Sequence, residues 1–82
     1  MLGIEQRVKL IIAQELEISL RELSNNTELA KLPGMDSLRL VETVMSLEDE
    51  FDTLIPDNEV EQVSTLQDLI DLCDRRSCQQ TT

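Results

Sequence analysis

One serine, Ser37, stands in the segment LPGMDSL at positions 32–38, directly before a predicted helix. Serine is a common helix N-cap, and the simplest interpretation is that Ser37 caps this helix. A nucleophilic role would need a base for its proton, but the chain has no histidine, and Lys31 is the only nearby lysine. In a third interpretation another enzyme esterifies Ser37 with a phosphate-linked group, since a helix N-terminus stabilises anions. These residues alone do not decide between a cap and an attachment point.

The composition excludes most catalytic and nucleic-acid functions. The chain has 82 residues with no histidine, tryptophan or tyrosine, and Phe51 is its only aromatic residue. The usual general bases and the aromatic platforms on which nucleotide bases stack are therefore missing. A chain of this length forms one small domain with little room for an enzyme cleft. We predict that the protein is not an enzyme and does not bind nucleic acid.

The acidic charge is concentrated in one region. The net charge is -10, and residues 36–61 hold nine of the 17 carboxylates with Arg39 as their only basic residue. Such a region is typical of a surface that meets basic proteins, and it disfavours nucleic acids and anionic membranes. The apolar runs are only a few residues long, so no membrane insertion is predicted.

The sequence predicts no metal site. Cys73 and Cys78 are too few for a zinc site in a chain without histidine, and the acids at 48–61 lack the spacing of a calcium-binding loop. We expect Cys73 in the core and Cys78 as a thiol in the tail. Because no secretory leader is recognisable, we predict a cytoplasmic protein, with a monomer as the default state.

Hydrophobic periodicity predicts an all-α fold. One apolar face runs from Ile4 to Glu17 and indicates the first helix, and a second extends from about Ser37 to Phe51 or Asp52. Between them we predict a long loop at 18–36. Four leucines should hold this loop, and Ser19 with Glu22 could cap a short turn inside it. The four leucines are Leu20, Leu23, Leu29 and Leu32.

The remaining elements are shorter. Pro56 suits the entry to a short third helix near 57–62. Thr65 and Asp68 have the spacing of a capping box, which predicts a fourth helix ending near Arg75. We therefore predict a four-helix bundle with a long loop between helices 1 and 2. Its domain should span 1–76, and 77–82 should form a flexible tail.

The segment GMDSL at 34–38 resembles the G-x-D-S-L signature of acyl carrier proteins, whose serine receives 4′-phosphopantetheine from coenzyme A. The resemblance continues through IEQRVKLIIAQEL at 4–16, SNN at 24–26, DSLRLVETVMSLEDEFDTLIPDNE at 36–59 and VSTLQDLIDL at 63–72. It therefore covers nearly the whole chain. It implies a stand-alone carrier that is modified at Ser37 and holds acyl groups as thioesters, in fatty-acid, polyketide or specialised lipid biosynthesis.

The resemblance also implies partners and site residues. The expected partners are a phosphopantetheinyl transferase and acyl-processing enzymes with basic patches, such as an acyltransferase and a ketosynthase. The positions expected to meet these partners are Asp36, Leu38, Glu42, Met45, Glu48 and Asp49. The positions expected to surround an acyl pocket are Leu40, Leu47, Ile55, Val60 and Val63, which by sequence alone are ordinary core residues.

Several positions depart from the pattern of fatty-acid carriers. Arg39 stands where an acid is usual, Lys31 adds a positive charge nearby, and Leu32-Pro33 replaces an acidic residue followed by leucine. Val60 replaces a smaller residue, which could shorten the pocket. Because of these differences, a dedicated pathway stays open as an alternative to housekeeping fatty-acid synthesis. Two alternatives also stay open: an aminoacyl or peptidyl carrier, and an unmodified acidic helical adaptor.

Overall fold

A computed structural model describes residues 3–78, and within that range the chain is all-α, as predicted. Four α-helices occur in chain order: α1 at Ile4–Leu16, α2 at Ser37–Phe51, α3 at Asp57–Val60 and α4 at Leu66–Cys78. Two 3-10 helices, Leu20–Glu22 and Leu29–Lys31, lie in the connection between α1 and α2. None of the helices in this range is long and apolar enough to cross a membrane.

Helices α1, α2 and α4 pack around one apolar core, to which α3 contributes no buried residue. Burial of this surface is the main favourable term for folding. The buried apolar residues are Val8, Ile12, Leu16, Leu23, Leu29, Leu32, Val44, Leu47, Phe51, Ile55, Leu66, Leu69, Ile70, Leu72 and Cys73.

Helices α1 and α2 end in the same way. Glu17 and Asp52 follow the helices in the left-handed conformation, with φ of 55° and 50°. In each case the next residue donates its N–H to a carbonyl five residues back, from Ile18 to Ala13 at 3.0 Å and from Thr53 to Glu48 at 3.1 Å. This hydrogen bond is typical of Schellman ends, in which orphan helix carbonyls find donors.

Arg7 fastens the start of α1 to the end of α2. Its guanidinium donates to the Glu50 carboxylate at 2.8 Å and to the Glu50 carbonyl at 3.0 Å. It also lies over the Phe51 ring, 4.5 Å from the ring centroid. A second contact lies further along the pair, where the Ser46 hydroxyl in the middle of α2 donates to Glu15 near the end of α1 at 2.7 Å. Polar side chains therefore join α1 and α2 at more than one point.

Three of the four predicted leucine anchors hold the long loop. Leu23, Leu29 and Leu32 are buried, whereas Leu20 is 47% exposed, so the prediction for Leu20 was wrong. Leu20 is the first residue of a 3-10 helix that has no buried residue. The predicted cap of that turn is present as a full capping box between Ser19 and Glu22.

The loop also satisfies the first N–H groups of α4. Leu66 donates its N–H to the Thr27 carbonyl at 3.0 Å, and Gln67 donates to the Asn25 carbonyl at 2.9 Å. The Asn25 side chain donates in turn to the Gln67 side chain at 2.7 Å. Helix N-termini leave such donors without intrahelical partners. The loop therefore stabilises the start of α4, even though little of the loop is helical.

The predicted capping box of α4 is present. Asp68 accepts from the N–H groups of Ser64 and Thr65, both at 3.1 Å, and these hydrogen bonds hold the pKa of Asp68 below its usual 3.8. The helix ends at Cys78, later than the predicted end near Arg75, so the first two residues of the predicted tail are helical. Residues 79–82 of that tail lie outside the described residues.

Candidate functional site

A tight turn delivers the chain to the start of α2. Pro33 and Gly34 occupy its two central positions, and the Met35 N–H donates to the Leu32 carbonyl at 3.0 Å. Gly34 has a φ of 81°, which the third position of a type II turn requires. Pro33 suits the second position because its φ is fixed near the required value. The turn therefore explains why proline and glycine precede the Asp36-Ser37 pair.

Asp36, not Ser37, is the N-cap of α2. Its side chain accepts the Arg39 N–H at 2.8 Å, and Ser37 is the first helical residue. The simplest sequence interpretation, in which Ser37 caps the helix, was therefore wrong by one residue. Aspartate and serine are both good caps, and the neighbouring pair made the choice ambiguous. Because Asp36 performs the capping, the exposed Ser37 side chain is not needed for it.

Ser37 lies between charges of both signs, with the positive helix terminus beside the Asp36 carboxylate. The N-terminus of α2 carries the positive end of the helix dipole. Arg39, two residues later, directs its guanidinium to the C-terminal end of α1, where it donates to the Glu15 carbonyl at 3.2 Å. It also lies 3.7 Å from the Glu42 carboxylate. The Arg39 guanidinium therefore links the end of α1 to the start of α2.

Ser37 lies at the rim of a groove between α2 and α3, with a volume of about 390 Å³. We call it the α2–α3 groove. It combines apolar side chains with carboxylates, and its lining residues are Ser37, Leu40, Val41, Val44, Met45, Glu48, Ile55, Asp57, Val60 and Glu61. Ser37 and Leu40 also border a second hollow of about 370 Å³, formed with the loop residues 28–30 and 35–36 and with Val63 and Ser64.

The five predicted pocket residues do not share one cavity. Leu40, Ile55 and Val60 line the α2–α3 groove, and Val63 borders the second hollow. Leu47 is fully buried in the core and lines neither of these cavities. Helical periodicity places Leu40 and Leu47 on similar arcs of α2, and only the packing of α1 and α4 separates them. The acyl-pocket role of these residues stays a prediction.

An exposed apolar stripe runs along α2 beside the groove. Leu38, Val41 and Met45 are 66%, 55% and 58% exposed. Two of them were among the predicted partner contacts. Val41 was not, although its position three residues after Leu38 and four before Met45 places it on the same face of α2. Apolar surface of this kind is a common mark of an interaction site.

The predicted acidic contacts fall into two groups. Glu42 and Asp49 are exposed, and the Glu42 carboxylate lies 3.7 Å from the Arg39 guanidinium, as described above. Asp36 and Glu48 accept hydrogen bonds from backbone N–H groups, Asp36 from Arg39 and Glu48 from Ile55 at 2.8 Å. Glu42 and Asp49 are therefore exposed at the border of the stripe, whereas Asp36 and Glu48 also accept hydrogen bonds from backbone N–H groups of the chain.

Cys73 is buried in the core, as expected. Burial raises the pKa of its thiol to about 12, so the thiol is neutral at physiological pH. A neutral buried thiol is a poor nucleophile. Cys78 is the last residue of α4, and its side chain lies outside the described part of the chain. Among residues 3–78 no group of three or more candidate metal ligands occurs.

Residues 6–73 match the profile of a family described as "Phosphopantetheine attachment site". The chain belongs to this family. Its fold is similar to that of a proposed acyl carrier protein from Mycobacterium tuberculosis, with a TM-score of 0.82 and 27% identity over 89% of this chain and 97% of that one. It is also similar to the apo doublet acyl carrier protein from prodigiosin biosynthesis, with a TM-score of 0.75 and 29% identity over 89% of this chain and 35% of that one.

These findings confirm the resemblance to acyl carrier proteins and imply a covalently attached 4′-phosphopantetheine. The geometry around Ser37 is compatible with that group. Ser37 is an exposed residue, it lies at a helix N-terminus that favours a phosphate, and it borders two hollows. The residues present therefore fit the prosthetic group that the family carries.

Proposed function

We propose that the chain carries acyl groups on a 4′-phosphopantetheine arm esterified to the Ser37 hydroxyl and presents them to separate enzymes. One observation carries the proposal: an exposed serine is the first residue of α2, in the GMDSL segment, inside the span that matches the phosphopantetheine family. When attached, the arm supplies a thiol that holds the acyl group as a thioester.

The chain's own residues prepare Ser37 for modification by another enzyme. Gly34 permits the turn before the helix, and Asp36 caps the helix, so the Ser37 side chain is not required for either task. The N-terminus of α2 then favours the phosphate of the esterified arm. The chain has no histidine that could take the serine proton, and we expect the transferase to supply the base.

The exposed stripe of α2 is the proposed docking surface. A complementary partner would place an apolar patch over Leu38, Val41 and Met45, and lysine or arginine beside Glu42 and Asp49. Exposed ion pairs contribute at most about 1 kcal/mol each and mainly accelerate encounter. Binding should therefore be weak and sensitive to salt, as a carrier that visits several enzymes requires. The proposed partners are a phosphopantetheinyl transferase, an acyltransferase and a ketosynthase.

The proposed pathway is fatty-acid, polyketide or specialised lipid biosynthesis, and Arg39 favours a dedicated system. Its guanidinium contacts both α1 and Glu42, so it changes the charge pattern two residues after the attachment site. A partner adapted to an acid at this position would meet a positive charge instead. The similarity to the prodigiosin carrier is compatible with a specialised pathway.

The test is to incubate the chain with coenzyme A and a broad-specificity phosphopantetheinyl transferase, and to measure the intact mass. We expect the parent to gain one phosphopantetheine. Ser37→Ala should gain none, while Ser64→Ala, which removes another exposed serine bordering the same hollow, should load like the parent. No gain for the parent with any transferase would contradict the proposal and favour an unmodified helical adaptor.

The group that is loaded onto the thiol distinguishes an acyl carrier from an aminoacyl or peptidyl carrier. The loaded protein is offered to a malonyl-transferring enzyme and, separately, to amino-acid-activating enzymes. A malonyl adduct supports the acyl pathway. An aminoacyl adduct alone would instead identify a carrier of a nonribosomal peptide pathway.

A further inference from the structure

Glu48 differs from the other acids at the border of the α2 stripe. It is half-buried, and its Oε2 atom accepts the N–H of Ile55 at 2.8 Å. Glu42 and Asp49 are exposed. A hydrogen bond to a charged acceptor is stronger than one between neutral groups, especially where it is partly shielded from water. The Glu48 carboxylate is therefore used within the fold.

The backbone of Glu48 serves the same turn. Its carbonyl accepts the N–H groups of both Asp52 and Thr53, the second at 3.1 Å. Three N–H groups of the segment 52–55 thus converge on one residue of α2. Any L-residue in the helix could supply the carbonyl, but only a side chain of suitable length with an oxygen acceptor can hold the Ile55 N–H.

Ile55 forms part of the wall of the groove that faces α2. Ile55 is 3% exposed, lines the α2–α3 groove and lies two residues before α3. Helix α3 has four residues, none of them buried, and an ion pair joins its Glu59 to Arg76 of α4. Because Val60 of α3 is only half-buried against the core, we expect the contacts of the preceding turn to help position this wall.

We propose that Glu48 is a positioning residue of the α2–α3 groove. Its carboxylate holds the turn at 52–55 against α2 and thereby sets the width of the groove that opens beside Ser37. The proposal rests on the proposed function only in naming the occupant, an apolar acyl chain carried from Ser37. It assigns Glu48 a role inside the carrier, in place of the partner contact that the resemblance implied.

Two conservative variants of Glu48 separate the effect of side-chain length from the effect of charge. Glu48→Gln keeps an oxygen at the same distance from the backbone and removes the charge. Glu48→Asp keeps the charge but shortens the side chain by one methylene, so the oxygen is withdrawn from Ile55. Asp49→Asn serves as the matched control, because it removes a neighbouring exposed charge that does not bond Ile55.

The first readout is hydrogen exchange of the Ile55 amide, measured by NMR in the unmodified protein, with the Leu69 amide as a reference for global stability. In Glu48→Asp we expect Ile55 to exchange at least about tenfold faster relative to Leu69. In Asp49→Asn the ratio should stay within about twofold of the parent. In Glu48→Gln, which keeps the hydrogen bond but removes its charge, the ratio should lie between those of the parent and Glu48→Asp. Equal ratios in all four proteins would overturn the proposal, as would a Glu48→Gln variant that behaves like Glu48→Asp.

The second readout concerns the groove in the modified protein. Octanoyl and acetyl forms are prepared from the corresponding coenzyme A thioesters, and the difference in methyl chemical shifts is recorded for Leu40, Ile55 and Val60. Glu48→Asp should lose at least half of the difference seen in the parent, while Glu48→Gln should keep it. Unchanged differences in Glu48→Asp would overturn the assignment of groove width to Glu48. If Ser37 accepts no arm, the proposed function fails, while the exchange readout still decides the role of Glu48 in the turn.

Discussion

The two sides of α2 are held in different ways. On one side, α2 packs against α1 and α4 through fully buried side chains such as Leu47 and Leu69, and Arg7 fixes its end. On the other side lies the α2–α3 groove, whose far wall combines the buried Ile55 with a four-residue helix that has no buried residue. Burial contributes far more to stability than single surface contacts do. The fold thus concentrates its stability on one side of the attachment helix and leaves the other side adjustable.

The largest expected effect comes from truncating one apolar residue on each side of α2. Leu47→Ala should lower the free energy of unfolding by about 2–5 kcal/mol, because Leu47 is fully buried. Val60→Ala should cost about 1 kcal/mol or less, because Val60 is only half-buried at the groove. The free energy of unfolding of both variants is measured by urea denaturation, with the same dependence on urea concentration assumed for each. If Val60→Ala cost as much as Leu47→Ala, the groove side would be as firmly packed as the core.

A smaller effect, on rates, should follow from reversing a charge beside the stripe. Asp49→Lys should slow phosphopantetheine loading several-fold at low salt, and the difference should shrink as salt rises, because exposed charges act mainly on encounter. Asp74→Lys, which reverses an exposed acid on α4, is the matched control and should load like the parent. Urea midpoints should barely change for either variant. Equal loading rates for Asp49→Lys and the parent at low salt would remove Asp49 from the docking surface.

The smallest effect concerns the pH dependence of the capping box on α4. The pKa of Asp68 is lowered in the folded state by hydrogen bonds from Thr65 and Ser64. Its contribution to stability is therefore present above the unfolded pKa, near 3.8, and is lost as pH falls through the lower folded value. Asp68→Asn should be slightly less stable than the parent at pH 7, and the difference should narrow toward pH 2. A constant difference between pH 7 and pH 2, measured by thermal unfolding, would contradict this role.

The helices could be predicted because their signals are local. The apolar periodicity of α1, α2 and α4 and the capping box at Thr65 all lie within one element, and each predicted helix is present. The exposed Leu20 was misjudged because an isolated leucine in a loop carries no periodic signal. The cap of α2 was misplaced by one residue because Asp36 and Ser37 are equally good caps by type.

The parts of the site that could not be predicted depend on contacts distant in sequence. The separation of Leu47 from the groove depends on the helices packed over it, and the Asn25 contact with Gln67 spans 42 residues. The hydrogen bond from Ile55 to Glu48 crosses a turn whose shape depends on the left-handed Asp52. Local patterns such as the capping boxes identify acids that accept nearby backbone N–H groups, but they do not identify Glu48, whose backbone partner lies across a turn.

The central claim is that the Ser37 hydroxyl receives the prosthetic group, and peptide mass spectrometry tests it most directly. Trypsin cleaves after Lys31 and Arg39, which releases the peptide LPGMDSLR with Ser37 as its only hydroxyl residue. After treatment with coenzyme A and a phosphopantetheinyl transferase, we predict that this peptide carries one phosphopantetheine. An unmodified peptide together with the same mass gain on any other fragment would contradict the account.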